Sequence, residues 1–279
     1  MSLSGFIRRH PVWSFCLLTL LWSYTWCTLV LLMMPPGLDI SRLSPAAGAF
    51  MFLGSMGPSL VGLALTRVVD GKGRAIALLA RLGRWHLGKL WLAVLIPYVV
   101  NGAVVVLYIL VGGSVSAAGI VVMLGPAIIF GIFAPLAEEF GWRGFMLPQL
   151  QRRYSPLVAS VLIGLFWGGI WHGYIDYIGI GNLGWRSLPL IILLGPAQMT
   201  AQAVLLTMLY NRSRGSLLLC VLFHSGITMS SILFGVTYPS YAVRLAWAMV
   251  AVLMWWAVVA GAILLEQRRG HRGLQLRPV

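Results

Sequence analysis

The sequence predicts an all-α fold, a polytopic membrane helix bundle of about eight transmembrane helices with both termini cytoplasmic. Three observations carry this. Of 279 residues, 59% are hydrophobic and 9% are charged, against roughly 45–50% apolar and about 25% charged in soluble domains. A soluble core of that size would lack the polar surface to cover it. Eight apolar runs come close to the roughly 20 residues that cross a bilayer core as a helix. The basic residues are dealt out in small groups between those runs, the pattern that sets membrane topology.

The runs cover residues 12–34, 46–69, 90–112, 117–137, 156–171, 188–210, 217–233 and 243–265. The first follows Arg8 and Arg9, as a signal peptide would. It is too long for a signal h-region, however, and no small-x-small cleavage site follows Met34. It reads as a retained span. With the N-terminus in the cytoplasm, seventeen of the twenty Lys and Arg fall on inner segments; only Arg42, Arg186 and Arg244 fall outside. Seven spans would leave the basic C-terminal tail outside, so the positive-inside rule favours the even count. Residues 71–89 interleave Arg74, Arg81, Arg84 and Lys89 with Ile76, Leu78, Leu79, Leu82 and Trp85. This is the pattern of an amphipathic basic helix on the inner membrane face, drawn to anionic lipid, and equally of a plain topology determinant. No repeat, low-complexity segment or linker interrupts the chain, which reads as a single integral-membrane domain over residues 1–279 of the cell membrane.

The formal charge of +14 invites a nucleic-acid partner. Such a partner needs its bases clustered on one solvated face, and the dispersal of these bases speaks against it. Cys16, Cys27 and Cys220 sit in apolar runs without a CxxC pair, so neither a disulfide framework nor a cysteine zinc site is supported. The six acids are more informative: Asp39, Asp70, Glu138, Glu139, Asp176 and Glu266. Four lie in loops, flanks or boundary positions. The remaining two are adjacent.

Ionisable residues inside a bilayer are costly and mark function by default. Glu138-Glu139-Phe140-Gly141-Trp142-Arg143 closes the fourth run, His172 lies near the end of the fifth, and His224 lies inside the seventh. His10, His86 and His271 fall in basic flanks and read as solvated. Glu138 is 17 residues before Ser155 and His172 is 17 after it. A hairpin turn at Tyr154, Ser155 and Pro156 would set both side chains at one height, roughly 25 Å from the turn. His224, only ~12 Å into its span, matches that height if the hairpin tip projects or kinks, for which Pro148 is a candidate. Adjacent helical residues point about 100° apart, and Arg143 is i+4 from Glu139, the favoured spacing for an ion pair. Glu139 and Arg143 therefore read as a structural pair that leaves Glu138 facing a cavity, as a general base acting on water would. Each histidine alone could equally be a hydrogen-bonded packing residue. Gly164 and Gly168 have a small-xxx-small spacing suited to helix packing. Trp and Tyr near span ends read as interfacial anchors. Asp176, i+4 from His172, could orient the imidazole, although an outer-loop position explains it as well.

At these residues the sequence resembles the CPBP intramembrane endopeptidases, the family of the type II CAAX prenyl protease and the bacterial Abi proteins. Glu138-Glu139-x-x-x-Arg143 matches the family's EExxxR motif. His172 matches the histidine of FxxxH, with Gly168 in the phenylalanine position. His224 matches the third motif's histidine, with Thr228 where asparagine is usual. The resemblance covers about residues 117–233, a family-like catalytic core.

It implies an endopeptidase acting on membrane-associated protein or peptide substrates, with its active site opening towards the cytoplasmic side. Glu138 and His172 would activate a water, while His224 and Thr228 would stabilise the oxyanion. No cofactor is expected. A zinc alternative would use Glu138, His172 and His224, leaving an open fourth position. Two other classes compete: a non-catalytic scaffold or processing partner retaining the fold, and a proton-coupled transporter. The absence of two similar halves and of matched broken helices speaks against transport.

Overall fold

The computed structural model describes residues 2–34 and 44–268. Asp39, Arg42, His271 and the tail residues Arg269, Arg272 and Arg277 lie outside them. Among the described residues every regular element is helical. The order is α1 Leu3–Arg9, α2 Pro11–Met33, α3 Pro45–Ser55, α4 Gly57–Val69, α5 Lys72–Leu79, α6 Ile96–Leu110 and α7 Ala117–Gly141. It continues with α8 Leu147–Gln151, α9 Pro156–Leu165, α10 His172–Ile180, α11 Gly195–Arg212, α12 Leu217–Leu233 and α13 Tyr241–Arg268. Six of these starts are set by serine. Ser2, Ser44, Ser116, Ser155, Ser216 and Ser240 each accept a first-turn backbone N–H, from Gly5, Ala47, Gly119, Val158, Leu219 and Val243, satisfying donors that have no partner within the helix.

Seven continuous helical stretches among the described residues are long and apolar enough to cross a membrane: Pro11–Met33, Pro45–Val69, Gly88–Leu110, Ala117–Gln151, Pro156–Ile178, Leu183–Arg212 and Tyr241–Arg268. The eighth expected run, Leu217–Leu233, is apolar but 17 residues long. The expected limits change most around the motifs. The fourth run does not close at residue 137 but continues through the acid doublet to Gln151, and the fifth continues past His172. Both continuations pass through π-helical turns, Trp142–Met146 and Phe166–Trp171. Pro148 lies in the first turn of α8, directly after the π turn Trp142–Met146. π turns concentrate at functional sites.

The basic stretch 71–89 is not one amphipathic helix. α5 ends at Leu79, a 3-10 turn covers Ala80–Gly83, and helix resumes only at Gly88. Side-chain demand from elsewhere breaks it. Arg81 donates to the Tyr210 hydroxyl, Arg84 donates to the Arg214 carbonyl, and the Ser216 hydroxyl donates to the Arg84 carbonyl at 2.7 Å. Those bonds join the 71–89 stretch to the turn between α11 and α12. Arg152 with Asp70 (3.4 Å) and Arg212 with Glu266 (3.1 Å) lie at this same end. Glu266 is buried rather than a plain flank residue.

Helix packing positions the motif. α7 lies against α4 and α12, and α9 lies against α11. A Cβ on Gly62 would come within 2.7 Å of the Gly141 Cα, and one on Gly141 would run into the Pro58 carbonyl. Glycine at 141 thus lets α4 approach the backbone of α7 directly beside the acid doublet. Gly164 and Gly168 do serve packing: they admit the backbones of Thr200 and Pro196. Large apolar side chains such as Val121, Ile192 and Leu253 point outward and exposed, the inverse of a soluble protein and what a lipid-facing surface requires.

Candidate active site

The acid doublet separates as helix geometry requires. Glu139 Oε1 pairs with Arg143 Nη1 at 2.8 Å, and both side chains are fully buried. The same oxygen lies 2.8 Å from His224 Nδ1, so Glu139 also ties α7 to α12. Glu138 turns to the other neighbour. Its Oε2 accepts the indole N–H of Trp142 at 3.1 Å and that of Trp167 at 2.7 Å. Glu138 is 3% exposed and Glu139 0%, placing two carboxylates side by side in the protein interior. Such groups are tolerable only when paired or hydrogen-bonded.

Trp167 is the hub. Its N–H reaches Glu138, its ring meets the His224 ring edge-on with centroids 5.1 Å apart, and the Arg143 guanidinium carbon lies 5.0 Å from its ring centre. One side chain thus touches Glu138, His224 and Arg143. Trp142, Trp167 and Trp171 are essentially fully buried, which corrects the reading of span-end tryptophans as interfacial anchors for these three. Each has an indole N–H bonded inside the bundle, with Trp171 donating to Ser23 Oγ at 2.8 Å. The signal was present in spacing: Trp142 is i+4 from Glu138, the same offset as Arg143 from Glu139.

His172 stands at the start of α10, just after the π turn. Its Nδ1 lies 2.7 Å from Asp176 Oδ1, and the Asp176 and Glu138 carboxylates both act electrostatically on the ring. Asp176 is therefore a partner of His172 and not a plain outer-loop residue. It also lines a cavity of about 850 Å³, with Gln198, Asn101, Ser230 and Arg244 among its polar walls. That cavity lies at the end of the bundle away from the arginine ties, between the connections around residues 183 and 234–241. The π turn itself is braced by α2: the Tyr24 hydroxyl donates to the Ile170 carbonyl, and Tyr24 stacks on Tyr174. Thr228 sits one turn beyond His224 on α12, half-buried.

The structure thus brings Glu138, Glu139, Arg143 and His224 into one bonded cluster through Trp167 and places His172 within its electrostatic reach. Among the described residues no three His, Cys, Asp or Glu side chains gather closely enough to hold a metal ion.

Fold and site together define a class: a polytopic helix bundle of membrane type with a buried glutamate–arginine–histidine cluster at its centre. Residues 120–229 match the family model of the type II CAAX prenyl endopeptidase Rce1-like proteins. The chain thus carries an Rce1-like region, and the resemblance read from the three motifs is borne out. A relative, CAAX prenyl protease 2 of Methanococcus maripaludis, is 29% identical over 119 residues, which is 40% of this chain and 42% of that protein. The chain therefore matches less than half the length of that curated relative. The Rce1-like region encloses Glu138, His172, His224 and Thr228.

Proposed function

We propose that this protein is an intramembrane endopeptidase of the cell membrane that hydrolyses peptide bonds in membrane-associated protein or peptide substrates. The observation that carries the reading is that residues 120–229, matched to an endopeptidase family, contain a buried carboxylate, Glu138, with hydrogen-bond donors on one oxygen and an imidazole within electrostatic reach. Trp142 and Trp167 fix Oε2, leaving Oε1 to accept a proton from water, assisted by His172. The water oxygen attacks the scissile carbonyl carbon, and the carbonyl electron pair moves onto its oxygen. His224 and the Thr228 hydroxyl donate to that oxyanion. Collapse breaks the C–N bond, and the proton held by Glu138 passes to the leaving amine. His224 can donate through Nε2 while Nδ1–H faces Glu139 only as the doubly protonated imidazolium. The buried Glu139 carboxylate is the counterion for that charge. No metal enters this scheme.

Access for the peptide is proposed from the cytoplasmic side, because His224 lies only eight residues into α12 from the arginine-tied turn. The test compares purified full-length wild type with Glu138→Gln in proteoliposomes carrying a membrane proteome, with and without chelator. Wild type should generate products that Glu138→Gln lacks, unchanged by chelation. Products that persist in Glu138→Gln, or a wild type that yields none, would sink the reading. The second outcome would favour the non-catalytic scaffold. Chelator-sensitive products restored by zinc would replace the metal-free mechanism.

A further inference from the structure

Away from the acid cluster, a groove of about 580 Å³ runs between the α1–α2 junction and the hairpin formed by α8 and α9. Its rim at the arginine-rich end is basic: Arg8, Arg9, Arg152 and Arg153 line it beside His10, and no acidic side chain does. Arg152 has an exposed 3.4 Å partner in Asp70, whereas Arg8, Arg9 and Arg153 have no ion pair among the described residues. The wall towards the bilayer core is apolar, with Trp13, Leu17, Leu162, Phe166 and Ile170. Two polar features face the space between rim and wall. Gln149 lines the groove, is 5% exposed, and makes no side-chain hydrogen bond among the described residues. The start of α2 also borders the groove, and no side chain caps it.

An amide that faces the groove can donate and accept at a ligand, and an uncapped helix start directs N–H groups and positive potential at an anion. Arginine clusters recognise phosphate through paired N–H donors, and basic pockets between membrane helices hold anionic lipid headgroups. A soluble anion would satisfy the rim but not the apolar wall; a neutral lipid would satisfy the wall but leave the arginines unmatched. We propose that this groove binds an anionic glycerophospholipid of the leaflet at the arginine-rich end. Its phosphate sits among Arg8, Arg9 and Arg153, its ester region lies at Gln149, and an acyl chain runs along Leu17, Leu162 and Phe166. The proposal does not rest on the protease reading.

The probe is phosphatidylglycerol added to full-length protein in a neutral detergent, with phosphatidylcholine and inorganic phosphate as separate arms. Binding is read by native mass spectrometry and by the shift in Tm. Phosphatidylglycerol should bind at low stoichiometry and raise Tm, while the other two should not. Arg9→Gln with Arg153→Gln should weaken that binding about thirtyfold, and Gln149→Leu should weaken it less without unfolding the protein. A control pair, Lys72→Gln with Arg74→Gln, removes the same charge from α5 outside the groove and should leave binding unchanged. Equal binding of phosphatidylcholine, an equal Tm rise with inorganic phosphate, or equal loss in the control pair would each overturn the assignment. The last would reduce it to general attraction between basic protein and anionic lipid.

Discussion

The arginine-rich end of the bundle and its buried centre use charge in opposite ways. At the end, charges are many, mostly exposed and loosely coupled: Arg152 and Asp70 stand 3.4 Å apart with Arg152 more than half exposed, and Arg81 and Arg84 spend their donors on a hydroxyl and a carbonyl. At the centre there is one guanidinium, fully buried, against one fully buried carboxylate, with a histidine on the same oxygen. The first region holds turns together; the second concentrates ionisable groups in the buried interior, where their interactions are stronger. Counting charges would rank the regions in the wrong order.

Substitutions can break or sharpen that contrast. Arg143→Met should be the most damaging, because it strands the Glu139 carboxylate in the interior. Breaking a buried pair on one side costs about 3–5 kcal/mol, so the detergent-solubilised protein should lose most of its unfolding transition in a thermal melt. Trp167→Phe keeps most of the packing and deletes the 2.7 Å bond to Glu138. Hydrogen bonds to charged groups contribute about 1.5–3 kcal/mol, and the expected result is a lower Tm together with a lower kcat in the proposed cleavage. A normal kcat would detach Trp167 from the chemistry. Tyr210→Phe, at the arginine-rich end, removes the acceptor of Arg81 and should cost about 0.5–1.5 kcal/mol, read as a modest Tm shift with cleavage unchanged. Arg152→Gln should change stability by no more than about 0.5 kcal/mol, an effect that added salt erases, because exposed pairs are weak and screened. If Arg152→Gln proved worse than Arg143→Met, the contrast between end and centre would be wrong.

The centre was partly legible in the sequence. The Glu139–Arg143 pair is local, four residues apart on one helix, and the same geometry sends Glu138 the other way. The hairpin turn was legible too, from Ser155 and Pro156. The role of Trp167 was not, because a tryptophan near a span end looks the same whether it anchors at the interface or donates inward. Gly141 gave no signal either: its need for a missing Cβ comes from Pro58 on α4, more than eighty residues earlier in the chain. The break in 71–89 is likewise tertiary, since Arg81 and Arg84 are recruited by Tyr210 and Arg214. Among the described residues every acid is matched: Asp70 to Arg152, Glu138 to two indoles, Glu139 to Arg143 and His224, Asp176 to His172, and Glu266 to Arg212. The doublet's separation and the Asp176–His172 spacing were legible because both are local; Asp70 and Glu266 found partners far along the chain.

The π turn at Phe166–Trp171 acts as a phase shifter. On an unbroken α-helix, Trp167 and His172 would be about 140° apart around the axis and could not both address Glu138. Closing the turn over five residues instead of four rotates the downstream segment back and narrows the angle between Trp167, which bonds Glu138, and His172. The helix can therefore be re-timed by a single residue. Deleting one of the residues between Trp167 and His172 would restore regular α-helical bonding and leave the packing of α9 on α11 largely intact. It would also swing His172 and Asp176 out of step with Glu138. This stretch should consequently tolerate changes of side chain better than changes of length.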